Sequence, residues 1–266
     1  MFSRKNYNPR MVPSGPFELN WNHPLSQGLV ALYVAGRVDD LTGNGPPLIT
    51  EYRAGQHGIA FLSGVANEAP IPQAYRIGEA VSIFAIAEIY LNYQTFVDIG
   101  LTDVNNSFNT FYQLGINGYE GIFFYYNNGQ SGIPGQTSLD ILWNASTNPF
   151  TASKQYVTMS GTLKYGGMAK LYTNGALNVS QVAPVGPAYN GVSAVIAPAY
   201  ASTNVIVPIA GWYNIELSAD MTAWLHAEPF AMLKPVKPRT LYSFPTSLLN
   251  NNSASIGKST FIYVIT

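Results

Sequence analysis

Residues 80–91 read AVSIFAIAEIYL, and the two alternating sets of side chains in that run, Val81, Ile83, Ala85 and Ala87 against Ser82, Phe84, Ile86 and Glu88, are both largely apolar. A strand with one wet face carries a polar residue at every second position. A strand apolar on both sides belongs in the middle of a sheet. The segment therefore predicts a central strand.

The same theme recurs along the chain. GLVALYV (28–34), GIAFL (58–62), TFVDIGL (95–101), TFYQLGI (110–116), GIFFYY (121–126), LDILW (139–143), QYVTMSGTL (155–163), AKLYTNG (169–175) and VIVPIAGWYNIEL (205–217) are short, rich in β-branched and aromatic residues, and bounded by Gly, Asn and Pro. Strands closed by turns have this composition. About ten or more of them predict an all-β chain folded as an antiparallel β-sandwich. Asn174-Gly175 predicts a type I′ hairpin, since both central residues of that turn need positive φ. YNNGQSGIPGQ (126–136) predicts a longer, flexible crossing. No linker divides the chain and no repeat of fixed period is present.

One stretch departs from the strand pattern. In LSADMTAWLHAEPFAMLKP (217–235), Ser218 suits an N-cap, Asp220 the positive end of a helix dipole, and Pro229 stops a helix at Glu228. Met221, Trp224 and Leu225 fall at i, i+3, i+4 spacing, so the expectation is a short helix that buries all three.

Composition sets the bounds on function. The 266 residues are 47% hydrophobic and 13% aromatic, enough for one large domain with a substantial core. Only 10% are charged, well below the usual share of about 25%. Such a surface is polar but weakly charged, and tolerates contact with sugars or neighbouring subunits. Thirteen Lys and Arg against fourteen Asp and Glu give a net charge of −1, which supports neither a nucleic-acid nor an acidic-membrane partner. No cysteine is present, so disulfides, thiolate nucleophiles and Cys-based zinc sites are excluded, and folding in a reducing cytoplasm is expected. The N-terminus lacks a continuous apolar h-region and no apolar run is long enough for a membrane span.

Both ends differ from the middle. Arg4, Lys5 and Arg10 precede the first acidic residue in a segment punctuated by Pro9, Pro13 and Pro16, which reads as an exposed arm (1–16) that either stays flexible or grips a partner. After the sandwich domain (17–245), the C-terminal extension (246–266) joins a polar spacer to FIYVI, with Phe261, Tyr263 and Ile265 on one side of a final strand. That strand pairs either with its own domain or with the sheet edge of a neighbour.

Chemistry-bearing motifs are sparse. The Glu-x-Asp-x-x-Glu run that would set two carboxyls about 5 Å apart in a retaining glycosidase does not occur; Glu216 and Asp220 straddle a strand-to-helix boundary, and Glu120 stands alone. His23, His57 and His226 lack metal-ligand spacing and read as surface or packing residues. Neither Gly-x-Ser-x-Gly nor a phosphate-binding Gly-rich loop is present. No catalytic residue or cofactor is assigned. Tyr112, Tyr119, Phe123, Tyr125 and Tyr126, near Asn127 and Asn128, either form a stacking face with amide hydrogen bonds for a glycan or fill the core or a subunit interface.

Four segments in order, WNHPLSQGLVALYVAG (21–36), DDLTGNG with GQHGIAFLSG (39–64), QYVTMSGTLKYGGMAKLYTNGAL (155–177) and the stretch from IAGWYNIEL to KPRTLY (209–242), resemble the laminin-G-like, concanavalin A-type jelly-roll domains of tailed-bacteriophage virions. Gln155-Tyr156 and Glu228-Pro229-Phe230 stand where that family typically has Trp-His and Asn-Pro-Trp. The resemblance, covering about residues 17–245, implies a helix that plugs one end of the sandwich. It also implies a rim calcium site at Asp39, Asp40 and Asn44, residues that are equally ordinary turn formers. The expected function is that of a non-enzymatic structural or accessory virion protein, folded in the host cytoplasm, with other virion proteins and copies of itself as partners. The alternative is a lectin-like carbohydrate-binding module, because a jelly roll hosts lectins, hydrolases and scaffolds alike.

Overall fold

The computed structural model describes residues 15–34, 37, 39–45, 47, 52–55, 58–61, 67–70, 79–90, 96–103, 106–117, 121–127, 139–144, 154–183, 193–197 and 205–236. The chain divides into a unit Met1–Pro235 and a second unit Val236–Thr266, and every described strand and helix belongs to the first. Arg4, Lys5 and Arg10 of the N-terminal arm, Phe261, Tyr263 and Ile265 of the terminal strand, most of the 126–136 crossing, and His57, Tyr119, Glu120 and Asn128 lie outside the described residues.

Sixteen strands and one α-helix are described: β1 (Phe17–Leu19), β2 (Leu29–Val34), β3 (Tyr52–Gly55), β4 (Gly58–Phe61), β5 (Asn67–Pro70), β6 (Ala80–Tyr90), β7 (Phe96–Asp103), β8 (Asn106–Asn117), β9 (Gly121–Asn127), β10 (Leu139–Asn144), β11 (Lys154–Lys164), β12 (Met168–Thr173), β13 (Ala176–Val182), β14 (Ser193–Ala197), β15 (Val205–Tyr213), α1 (Ala219–Ala227) and β16 (Leu233–Pro235). One sheet has six strands in the order β10-β9-β8-β7-β14-β5. The other has eight, β13-β12-β11-β6-β15-β4-β3, with β2 sharing with β4 the far side of β15. β1 and β16 form a separate ribbon. The pairings are antiparallel, and the fold is the expected all-β sandwich with one short helix.

The central-strand expectation for residues 80–90 holds. β6 lies between β11 and β15, and residues 81–87 are buried on both faces. Val81, Ile83, Ala85 and Ala87 join Leu114 and Ile116 of β8, Ile122 and Phe124 of β9, and Trp212 of β15 in the core between the sheets. Phe84 and Ile86 point the other way, into a second core with Phe17, Leu25, Tyr213, Leu225 and Leu233. The large sheet therefore carries a layer on its outer face, made of the β1–β16 ribbon, the turn at residues 20–28 and α1. Ser82, the polar member of the outward set, stitches that layer down: its hydroxyl donates to the Ile215 carbonyl at 2.7 Å and accepts from Leu217 N–H at 3.0 Å.

β15 changes phase to serve both cores. Its register against β6 shifts between Ile206 and Ile209, where Pro208 has no N–H to offer the ladder. After the bulge, Ala210 and Trp212 face the inter-sheet core while Ile209 and Tyr213 face the outer one.

The helix runs as its caps predict, with the Ser218 side chain accepting from Met221 N–H and Glu228 as C-cap. Its position and buried face differ from expectation. Leu225 packs with Phe84, Ile86 and Tyr213, so α1 lies over the outer face of the large sheet instead of plugging an end. Thr222 and Leu225 are the buried residues, and Trp224 keeps 37% of its surface in water. The Asn174-Gly175 hairpin forms with φ of 51° and 78°. Its tip meets α1 closely: a Cβ on Gly175 would stand 3.0 Å from His226 Cβ and 3.1 Å from Ala223 Cα.

The two sheets approach closely at Gly161 of β11, where a Cβ would overlap the Phe124 ring of β9. Gly161→Ala is expected to destabilise by about 1–3 kcal/mol, the usual cost of overpacking, with partial recovery in the double variant Gly161→Ala/Phe124→Leu. Urea denaturation measures both; additive effects of the two substitutions would mean that the ring and the glycine are not in contact.

Candidate functional site

The turn at residues 39–45 has its carboxylates in use. Asp40 is buried, and its Oδ1 accepts from Leu32 N–H at 2.8 Å and Thr42 N–H at 2.9 Å. Its Oδ2 accepts from the Thr42 hydroxyl at 2.6 Å and Gly45 N–H at 2.9 Å. Leu41 N–H in turn donates to the Leu32 carbonyl, so the turn pairs with the edge of β2 that β15 leaves open. Val30, skipped where β2 bulges against β15, has its carbonyl taken by Thr42 Oγ1 and Asn44 Nδ2. Asp39 forms an ion pair with Arg37, whose hydrogen bonds hold its carboxyl below the usual range. The nearby Tyr33 phenol is pushed up, by burial first and by the Asp40 charge second. Among the described residues no group of three or more His, Cys, Asp or Glu could hold a metal ion. The arrangement is that of an edge cap whose acceptors face N–H and O–H donors. Asp40→Ala is accordingly expected to cost about 2–4 kcal/mol by orphaning buried donors. The loss should be equal in calcium and in EDTA; a loss confined to the calcium buffer would make the turn a cation site.

The aromatic set on β8 and β9 is split by its geometry. Tyr112 and Tyr126 are strand partners, fully buried between the sheets, so neither ring offers a face to a glycan. Their hydroxyls reach polar partners, Tyr112 the Tyr165 hydroxyl at 2.7 Å and Tyr126 the Gln181 amide. Phe123 is also buried. Tyr125 and Asn127 lie on β9 opposite Ile141 and Leu139 of β10. Glu216 is paired with Lys170 at 2.6 Å, an interaction that raises the lysine pKa.

Two of the exposed aromatics lie elsewhere, Trp21 in the turn before the 3-10 segment Pro24–Ser26 and Trp224 on α1. His23 N–H donates to the Asn20 carbonyl at 2.9 Å, closing a turn that leaves Trp21 53% exposed at its second position. His23 Nδ1 accepts from Leu25 N–H at 3.2 Å, capping the 3-10 segment. Leu25 is fully buried and its carbonyl accepts the Tyr213 hydroxyl at 3.0 Å, which anchors the turn in the outer core. The His23 ring then packs on Trp224, with centroids 4.8 Å apart and planes tilted by 57°. Trp224 Nε1 donates to Glu228 Oε2 at 3.2 Å. The indole is thus held from two sides while part of it faces water. His226, the other described histidine of this region, meets Thr158 Oγ1 at 3.1 Å and fastens α1 to β11. An aromatic plane fixed by its neighbours with a polar group at its edge binds flat, hydroxylated ligands at low entropic cost. The local signal in the sequence was the Trp-Asn-His triplet, Trp21 to His23, in turn chemistry; its partner on the helix is 201 residues further on and left no trace beside it.

Burial pushes the His23 imidazole below its ordinary value, with Glu228 acting in the opposite sense. A group that stays neutral when folded makes the unfolded chain the better proton binder, so the His23 contribution is present above the unfolded pKa of about 6.5 and is lost as pH falls through the lower folded value. His23→Asn retains a side-chain acceptor for the cap and removes the titration. The wild type is therefore expected to lose melting temperature between pH 7 and 5 relative to His23→Asn; parallel curves would refute the assignment. Trp224→Ala is expected to cost about 1 kcal/mol or less, against about 2–5 kcal/mol for Leu225→Ala, in the same urea titrations.

Comparison with known proteins bears on the class. No protein-family model matches the chain, and no curated protein matches it in sequence. Solved structures do. The ligand-binding domain of botulinum neurotoxin serotype D in complex with N-acetylneuraminic acid is 13% identical over 75% of this chain and 50% of that one, with a TM-score of 0.57. The binding domain of Paraclostridial mosquitocidal protein 1 is 13% identical over 76% and 52%, at 0.58. The binding domain of botulinum neurotoxin DC in complex with rat synaptotagmin II is 12% identical over 75% and 51%, at 0.54. This chain spans about half the length of each. The likeness defines the fold, the β-sandwich found in these toxin binding domains.

Proposed function

We propose that the chain is a non-catalytic recognition module that binds carbohydrate through the Trp21–His23–Trp224 surface. The observation that carries this reading is the half-open indole of Trp224, held by His23 and Glu228, with the exposed Trp21 two residues before His23 in the same turn. An exposed indole held in one orientation supplies the flat apolar face that a stacking ligand needs. The fold neighbours support it, since they are ligand- and receptor-binding domains, one in complex with a sugar. The weakly charged composition suits a ligand dense in hydroxyls and poor in charge.

The reading as a virion structural protein draws on the order of sequence motifs. It predicts oligomers or particle association in place of saccharide binding, and it leaves the exposed tryptophans unexplained. A glycan array probed with the whole chain decides between them. Saccharide-dependent binding is expected, reduced at least about tenfold by Trp224→Ala and by Trp21→Ala, the loss of a stacking contact. Absence of binding to any glycan, or binding indifferent to both substitutions, would overturn the proposal.

A further inference from the structure

We infer that this surface selects uncharged pyranose units and discriminates against sialylated ends, the opposite of what the sugar held by one of its fold neighbours would suggest. The inference rests on the carbohydrate reading and concerns the chemistry of the same site.

The polar groups at the platform are few and their roles are set by geometry. His23 Nδ1 is occupied as acceptor of Leu25 N–H, so a neutral ring carries its proton on Nε2 and offers a donor there. Glu228 Oε2 is occupied by the indole N–H, leaving Oε1 as an acceptor with a full share of negative charge. One donor and one charged acceptor beside a flat ring match the hydroxyls of a neutral sugar, each of which both donates and accepts. A sugar carboxylate needs the reverse: a cation, or several N–H donors together.

Among the described residues, no hydrogen bond or ion pair brings a Lys or Arg to His23, Trp224 or Glu228. Asp220 stands on the same helix one turn before Trp224, exposed. Glu18, three residues before Trp21, is paired at 3.2 Å with Lys234, the basic residue opposite it on the β1–β16 ribbon. Arg37 and Lys170 are engaged by Asp39 and Glu216. On α1 and its C-cap, Asp220 and Glu228 sum to −2 with no Lys or Arg among those residues. A ligand carboxylate seated on Trp224 would meet the Glu228 charge at short range, where screening by salt is weak.

The test uses the whole chain and two immobilised probes, a galactose-terminated oligosaccharide and the same oligosaccharide capped with N-acetylneuraminic acid. A panel of other neutral glycans and their capped counterparts accompanies them on the array. The expected result is a preference of about tenfold for the uncapped forms in the wild type, larger at low salt. In Glu228→Gln, which keeps an oxygen for the indole N–H, the ratio of capped to uncapped affinity should rise toward one. Tighter binding of the capped forms by the wild type, or an unchanged ratio in Glu228→Gln, would overturn the inference while leaving a carbohydrate site in place. Failure of every probe, capped or not, would remove the carbohydrate reading and this inference with it.

Discussion

Residues 81–87 of strand β6 have no solvent face, and the rest of the architecture answers to that. Its odd-numbered residues Val81, Ile83, Ala85 and Ala87 need one cover and Phe84 and Ile86 need another. The six-stranded sheet supplies the first through Leu114, Ile116, Ile122 and Phe124. Among the described residues, the second is supplied by the ribbon, a turn and one short helix. They cover the outer face with a small number of large anchors, among them Phe17, Leu25, Leu225 and Phe230. Ser82 lies in the same row as Phe84 and Ile86, and its hydroxyl both gives and takes a hydrogen bond with the 215–217 segment. A buried polar group satisfied in both roles fixes register where apolar contact alone would allow sliding.

The candidate surface is a by-product of how that outer layer is fastened. Leu25 and Leu225 are fully buried beneath it, and Tyr213 reaches up from β15 to the Leu25 carbonyl. Each anchor has a neighbour in sequence that cannot follow it inward: His23 and Trp21 before Leu25, Trp224 before Leu225. Of these side chains, His23 and Trp224 meet ring to ring. A rigid sheet with recognition residues on the turns and short helix above it separates stability from specificity. Leu225 and Leu25 carry the first; under the proposed function Trp21 and Trp224 carry the second.

Much of the fold was legible because strand periodicity depends on nearest neighbours. The apolar runs gave their strands to within a few residues, and Ser218, Asn174 and Gly175 announced their caps and turns. β1, β3, β5, β14 and β16 were not announced: they are three to five residues long, and strands such as FEL, NEAP and LKP have too few positions to show alternation. The site was less legible. Met221, Trp224 and Leu225 share a helical face, but that face is wider than the contact, and the sheet takes Thr222 and Leu225 while leaving Trp224 at the margin. Tyr112 and Tyr126 read as either a stacking face or core or interface, because strand alternation tells which residues share a side, not which side is wet. Asp40 read as either a calcium ligand or a turn former, because both tasks put a carboxylate in a tight turn.

With so few charges on the chain, fields near its surface are set by individual groups. Net charge of −1 describes the whole molecule and says little about any one spot, because screening in physiological salt limits the reach of an exposed charge to about 8 Å. Three basic residues, Arg37, Lys170 and Lys234, already have carboxylate partners. Glu228 instead spends one oxygen on a neutral indole N–H, which orients the carboxylate without cancelling its charge. The same contact that holds Trp224 in place therefore gives its rim a sign. A substitution at this one position alters posture and potential together, whereas substitutions among the paired residues mainly alter posture. A weakly charged β-sandwich can in this way acquire a specific electrostatic preference from a carboxylate that no cation pairs, provided an aromatic neighbour keeps it where a ligand must pass.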